Sequence, residues 1–205
     1  MKAVVFALFA LPGFAAPAAA DFSGPVAPAT WTVTNTGILT GGSPTLGSAT
    51  FSTTQLVLTG SNSISPSGDT PGCAGASFQT LGPCQLQVTR NLPGTYSFSW
   101  SYLSSDDSGP AGDPFGVIVD SNRIQLSDPG GASAQSGTRT FAANSSFGWF
   151  INCTDCIGGS ATSTISQFSF ATPVPEPETY ALMLAGVMAL ATRRRRRRRE
   201  QGILP

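Results

Sequence analysis

The chain has 205 residues, eleven basic and eleven acidic side chains, a formal net charge of zero, and no histidine. Without imidazole, Ser-His-Asp and Cys-His nucleophilic sites, His-ligated zinc and imidazole acid–base chemistry are all excluded. Charged residues are 11% of the chain, against about 25% in ordinary soluble domains, so serine, threonine, glycine, asparagine and glutamine must supply the polarity.

Residues 1–20 read as a secretory signal peptide. Met1-Lys2 supplies the charged start, Ala3 to Leu11 an unbroken apolar run, and Ala18-Ala19-Ala20 an A-x-A cleavage site before Asp21. The run is too short to span a hydrocarbon core about 30 Å thick. Pro12, Gly13 and Pro17 stop it from continuing as a buried helix. The mature chain is expected to begin at Asp21.

Residues 21–172 have the size of one domain. Three arginines (90, 123, 139) stand against eight aspartates with no lysine or glutamate, a net charge of −5. An acidic body argues against nucleic acid as a partner, because phosphates would repel it. Aromatic residues in alternating runs and a modest net charge argue against disorder.

In chain order, strands are expected at Thr30 to Thr36, Gln55 to Thr59, Gln85 to Thr89 and Thr95 to Leu103. Further strands follow at Phe115 to Asp120, Arg123 to Leu126, Thr138 to Ala142, Phe147 to Cys153 and Ile165 to Phe170. The strongest signal is Thr95 to Leu103, where Tyr96, Phe98, Trp100 and Tyr102 alternate with serines, as in a half-buried strand. Ser121-Asn122 reads as the turn of a hairpin. Gly and Pro clusters punctuate the chain, and no helical period extends over ten residues. The expectation is an all-β domain, a β-sandwich or jelly roll. The aromatic stripe reads as core, with a sugar-stacking platform as the alternative.

Four cysteines form two local pairs, Cys73 with Cys84 and Cys153 with Cys156. An even count in an exported chain suggests disulfides, and local pairing is the simplest of three connectivities. A four-thiolate zinc site and a redox pair at Cys153 and Cys156 are rival readings. The loop Ser104 to Pro114 carries Asp106, Asp107 and Asp113 with Gly109 and Gly112, a candidate weak calcium site. Solvated turn residues are the competing explanation. No catalytic residue and no resident cofactor is assigned.

The C-terminal segment has its own order. Pro173 to Pro177 (PVPEP) precedes an apolar stretch, Tyr180 to Thr192, and then Arg193, Arg194, Arg195, Arg196, Arg197, Arg198 and Arg199. Thirteen apolar residues make a helix about 20 Å long, short of the hydrocarbon thickness, so a short transmembrane helix there is marginal. The arginine block would remain cytoplasmic.

With Pro175, Glu176 and Pro177, the apolar stretch and the arginines in place, residues 173–199 resemble the PEP-CTERM sorting signal. Residues 200–205 are an unassigned extension beyond the usual end of that signal. The resemblance implies export, a transient hold in the inner membrane and processing by an exosortase near the Pro-Glu-Pro motif. It also implies a Gram-negative cell surface or matrix, with exopolysaccharide as a candidate partner. The expected function is structural or adhesive within an exopolysaccharide or biofilm layer. A carbohydrate-binding module is the alternative reading, and an aspartate-dependent hydrolase a more distant one.

Overall fold

A computed structural model describes residues 19–36, 43–64, 84–153, 159–173 and 177–201. Most of the expected signal peptide, Cys73, Cys156, Pro175, Glu176 and residues 202–205 fall outside the described residues. The chain divides into two units, Ala16–Thr172 and a second comprising Met1–Ala15 with Pro173–Pro205.

The first unit is a sandwich of two antiparallel sheets. Its strands are β1 (Ala19–Ala20), β2 (Thr32–Thr36), β3 (Ser43–Thr45), β4 (Ser48–Phe51), β5 (Gln55–Thr59), β6 (Asn62–Ile64) and β7 (Gln85–Arg90). Then come β8 (Gly94–Ser104), β9 (Phe115–Val119), β10 (Asn122–Gln125), β11 (Ala134–Ala143), β12 (Phe147–Asn152) and β13 (Ala161–Ala171). The first sheet has the order β11-β8-β13-β5-β4, with β1 also paired to β13. The second has the order β10-β9-β12-β7-β2, and β3 with β6 forms a separate two-stranded ribbon.

Alternation in β8 does what its spacing demands. Tyr96, Phe98, Trp100 and Tyr102 are buried, while of the serines between them Ser97 and Ser99 are half-buried and Ser101 is exposed. Opposite them, β12 sends Phe147, Trp149 and Ile151 into the same interior. The Trp149 ring meets Phe147 edge-on at 5.0 Å and Phe98 at 5.5 Å, and it lies 5.0 Å from Trp31. Phe22 stacks on Phe168 with 4.5 Å between centroids. Such pairs contribute about 0.5–1.5 kcal/mol each beyond the area they bury.

One irregularity in β13 makes this packing possible. The register with β8 slips between Ser166 and Ser169, where three steps on β13 match two on β8. Gln167 takes a positive φ of 49° at this bulge. The extra residue lets Ile165 and Phe168, three apart, both point into the core, which strict alternation forbids.

The outer face of the first sheet explains how the domain stays polar with few charges. Ser97 and Thr140 pair hydroxyls at 2.8 Å, Ser99 and Thr138 do so at 3.0 Å, and Ser99 also donates to Gln167 Oε1 at 2.7 Å. Neutral cross-strand hydroxyl pairs of this kind stabilise a sheet without ion pairing.

The hairpin of β9 and β10 turns one residue earlier than its sequence suggests. Asn122 pairs with Val119, leaving Asp120 and Ser121 as the turn at φ 50° and 71°. Two left-handed residues fit the right-handed twist of the strands, and Asp tolerates that conformation.

In the second unit the described element is α1 (Pro177–Gln201), which runs through both the apolar stretch and the arginines. Among the described residues no helix is long and apolar enough to cross a membrane. The short transmembrane helix expected from the sequence is thus not shown as a span: α1 carries the apolar stretch and continues directly into the arginines.

Gly116 offers a direct check of the packing. A Cβ there would lie 2.2 Å from the Ile124 carbonyl oxygen and 2.8 Å from the Phe150 ring, so backbone must move to admit it. Gly116→Ala is expected to destabilise the domain by about 1–3 kcal/mol, as overpacking does. Denaturant unfolding of the variant against the parent chain measures this.

A polar cleft on the outer face of the second sheet

Strand β12 is central in its sheet and all six of its residues are buried, although three of them face outward. The register explains how. Phe150 lies between Gly116 and Gln87 across the sheet, and Gly148 lies between Ile118 and Thr89. Arg123 pairs with Ile118 and so shares this face.

The Arg123 side chain bends over Phe150, its Cζ 4.8 Å from the ring centroid. A guanidinium over a ring face contributes about 0.5–2 kcal/mol. The same side chain donates to Gln85 Oε1, which also accepts from Gln87 Nε2 at 2.5 Å. Gln85 Nε2 in turn donates to Asn152 Oδ1. A chain of amides and one guanidinium thus runs across the outer face. Burial lowers the Arg123 pKa, yet an arginine keeps its charge at any physiological pH.

On this face the surface opens into a cleft of about 560 Å³. Gln87, Asn91 and Asn122 bring amides to its lining, and Thr89, Ser121 and Ser146 bring hydroxyls. Ile118 adds an apolar patch and Arg123 the charge; among the described residues no acid lines the cleft. Its volume lies in the range of small-molecule sites.

Asp120, in the hairpin turn beside the cleft, is bound by the turn that follows β11. It accepts from the backbone N–H groups of Asn144, Ser145 and Ser146 at 2.7–3.1 Å, and from the Ser145 hydroxyl at 2.8 Å. Asn144 Nδ2 adds a further bond at 3.2 Å. The backbone donors of Asn144 and Ser146, followed by the Ser145 hydroxyl, hold the carboxyl well below the usual carboxylate range.

Of the residues singled out by sequence, the structure brings some together and not others. Asp106 and Asp113 are buried on either side of Ser104, whose Oγ accepts from the Asp106 N–H at 3.1 Å and reaches Asp113 Oδ2 at 3.4 Å. Asp107 is exposed. Among the described residues no group of three or more His, Cys, Asp or Glu side chains is placed to hold a metal ion. Burial pushes the neighbouring Tyr102 phenol up, and the charges of Asp113 and Asp106 add to this. Trp31, Trp100 and Trp149 are 7%, 5% and 0% exposed, so none presents a ring face to solvent.

Cys84 and Cys153 are both disulfide-bonded and sit beside each other, the Cys153 N–H donating to the Cys84 carbonyl at 3.3 Å. Their partners lie outside the described residues, with Cys73 and Cys156. The cleft was missed by sequence reasoning because its lining comes from β7, β9, β10 and three connections between strands. The only local clue is the run Phe147 to Asn152, too apolar for a strand with a solvated face.

Residues 173–198 match the PEP-CTERM protein-sorting motif, so the tail carries that signal. The motif implies export, anchoring before sorting and processing by an exosortase. No curated protein sequence matches the chain. Among solved structures, an arabinose-bound α-L-arabinofuranosidase (MgGH51) is similar at 12% identity and TM-score 0.34, over 75% of this chain and 24% of that one. This chain therefore spans about a quarter of that enzyme's length. The N-terminal cellulose-binding domain of Cellulomonas fimi β-1,4-glucanase C is similar at 15% identity and TM-score 0.30, over 73% and 92% of the two chains. A family 29 carbohydrate-binding module complexed with mannohexaose gives 11% identity and TM-score 0.30, over 70% and 92%.

The Asp120 cluster makes a pH prediction with a definite sign. A folded-state pKa below the unfolded value of about 3.9 stabilises the fold above that pH, and the contribution is lost as pH falls toward the folded value. Acid unfolding of the parent chain should steepen below about pH 4. Asp120→Asn should be less stable at neutral pH and show a flatter acid limb. Equilibrium unfolding at several pH values checks both.

Proposed function

We propose that this chain is a non-enzymatic protein of the bacterial cell surface or extracellular matrix, structural or adhesive within an exopolysaccharide layer. The PEP-CTERM match at residues 173–198 carries the reading, because it addresses the sandwich to that compartment. The apolar side chains of α1, Leu182, Met183, Leu184, Val187, Met188 and Leu190, are exposed, which suits a transient hold at the inner membrane before the tail is removed. The arginine block would keep the end of the chain cytoplasmic. Local bridges, Cys73 to Cys84 and Cys153 to Cys156, and the weak calcium site expected at Asp106, Asp107 and Asp113 belong to the same proposal.

A second reading, carbohydrate binding, is favoured by the polar cleft. The buried tryptophans count against the aromatic platform on which such binding often rests. The absence of histidine and of any lysine beyond Lys2 supports a protein without a catalytic site.

Deleting the gene and scoring floc or biofilm formation tests the role; growth and flocculation identical to the parent strain would count against it. Intact-mass analysis of the surface-recovered protein tests the delivery. A chain that begins at Asp21 and lacks Arg193 to Arg199 is the expected product. Recovery of the arginines in the extracellular fraction would rule out processing of the tail.

A further inference from the structure

We propose that β11 is a self-association edge: two copies of this chain pair their β11 strands antiparallel about a two-fold axis at Thr138, and the first sheet runs on from one copy into the other. The inference goes beyond the surface reading above and does not depend on it.

The backbone carries the first part. Among the described residues β11 is the end strand of its sheet, and all ten of its residues pair with β8 without a register break. The Ser104 N–H donates to the Ser133 carbonyl at 2.9 Å just before β11 begins, which makes that cross-strand pair a hydrogen-bonded one. Every second residue after it, Gln135, Gly137, Arg139 and Phe141, therefore turns its N–H and C=O toward β8. Ser136, Thr138 and Thr140 turn theirs off the edge. Such a row is a template for another strand, and natural edges are blunted by shortness, proline, bulges or charge. The other end strands, β4, β10 and β2, have only four, four and five residues. In β11 there is no proline, no bulge and one charge, Arg139. That guanidinium bonds the adjacent Thr138 carbonyl at 3.0 Å, an exposed contact within its own strand that a second β11 displaces.

The strand's own symmetry names the occupant. Pairing about Thr138 sets Ser136 against Thr140 of the second copy and Ala134 against Ala142. Serine with threonine is the pair that the outer face already uses, Ser97 with Thr140 and Ser99 with Thr138. On the inner side Gly137 lies opposite Arg139 of the second copy, so no side chain obstructs the guanidinium. The two arginines sit diagonally rather than face to face. A body carrying −5 repels its own kind over most of its surface, whereas this strand brings a cation and no acid. The neighbouring edge adds an apolar group. Phe115 of β9 meets Trp100 and Tyr102 of β8, which places the β10 edge on the same side of the sandwich as β11. There Ile124 is in register with buried Val117 and yet is 41% exposed. An unrelated extended peptide would gain the backbone bonds without these symmetric pairs.

Sedimentation velocity of the protein recovered from the cell surface, from micromolar to near-millimolar concentration, should show a shift from the mass of one chain toward that of two. Amide hydrogen exchange at both ends of that range reads the edge itself. Ser136, Thr138 and Thr140 should gain protection on association, while Gly137 and Arg139, already bonded to β8, should change little. Thr138→Pro removes an N–H that points off the edge, so the domain keeps its own ladder. Each pair of copies then loses two backbone bonds, and association should weaken about tenfold or more. Thr138→Lys sets two like charges opposite each other and should weaken association as well. Thr50→Lys, on end strand β4 of the same sheet, should associate as the parent does. A single-chain mass throughout the range, associated protein without protection at Ser136, Thr138 and Thr140, or a Thr50→Lys loss as large as that of Thr138→Lys would each overturn the proposal.

Discussion

The space between two facing sheets is about 10 Å, and in this domain it is filled with aromatic rings rather than aliphatic side chains. Trp149 stands near the centre, touching Phe147 and Phe98 edge-on and Trp31 at a tilt. Because these rings demand width and angle, the backbone around them has adjusted. The β13 bulge turns Phe168 inward, and Gly137 gives the Trp100 indole room on edge strand β11, where a Cβ would lie 3.0 Å from Nε1. The aromatics are thus committed to holding the sheets together, and the outer faces are left to polar chemistry.

Those outer faces use charge sparingly and in fixed places. The first sheet presents hydroxyls in cross-strand pairs, and the second presents amides chained through Gln85 to Arg123. Aspartates mostly serve the backbone. Asp120 joins the β9–β10 turn to the β11–β12 connection, and the Asp106 carboxylate accepts the Ser108 N–H at 2.6 Å to shape its own loop.

Much of the fold was legible because its strongest strands have strong contrast. In β8 an aromatic follows each of Ser97, Ser99 and Ser101, and alternation alone assigns the face. The strands left unread, β1, β3, β4 and β6, are two to four residues long and mostly Ser, Thr and Ala, so neither period nor hydropathy marks them. The hairpin turn was placed one residue late because Ser121-Asn122 looks like ordinary turn chemistry, while the carboxylate contacts that hold Asp120 there come from residues 144–146. The cleft was illegible for the same reason: its residues are neighbours only through the order β10-β9-β12-β7. The tail was the reverse case, since proline, apolar run and arginines are a message written in one dimension. Of the three loop aspartates, spacing suggested a common site, but burial took Asp106 and Asp113 inward and left Asp107 in solvent.

The account stands on the tryptophans being structural. All three, at positions 31, 100 and 149, lie within the sandwich, so the protein's indole fluorescence reports on that interior alone. Acrylamide quenching of the surface-recovered protein, with and without exopolysaccharide, measures their exposure directly. Blue-shifted emission, strong shielding from the quencher and no change on adding the polysaccharide are the expected results. Emission like that of indole in water, quenched freely and then protected by the polysaccharide, would mean that the aromatics form the ligand platform and that the core described above is wrong.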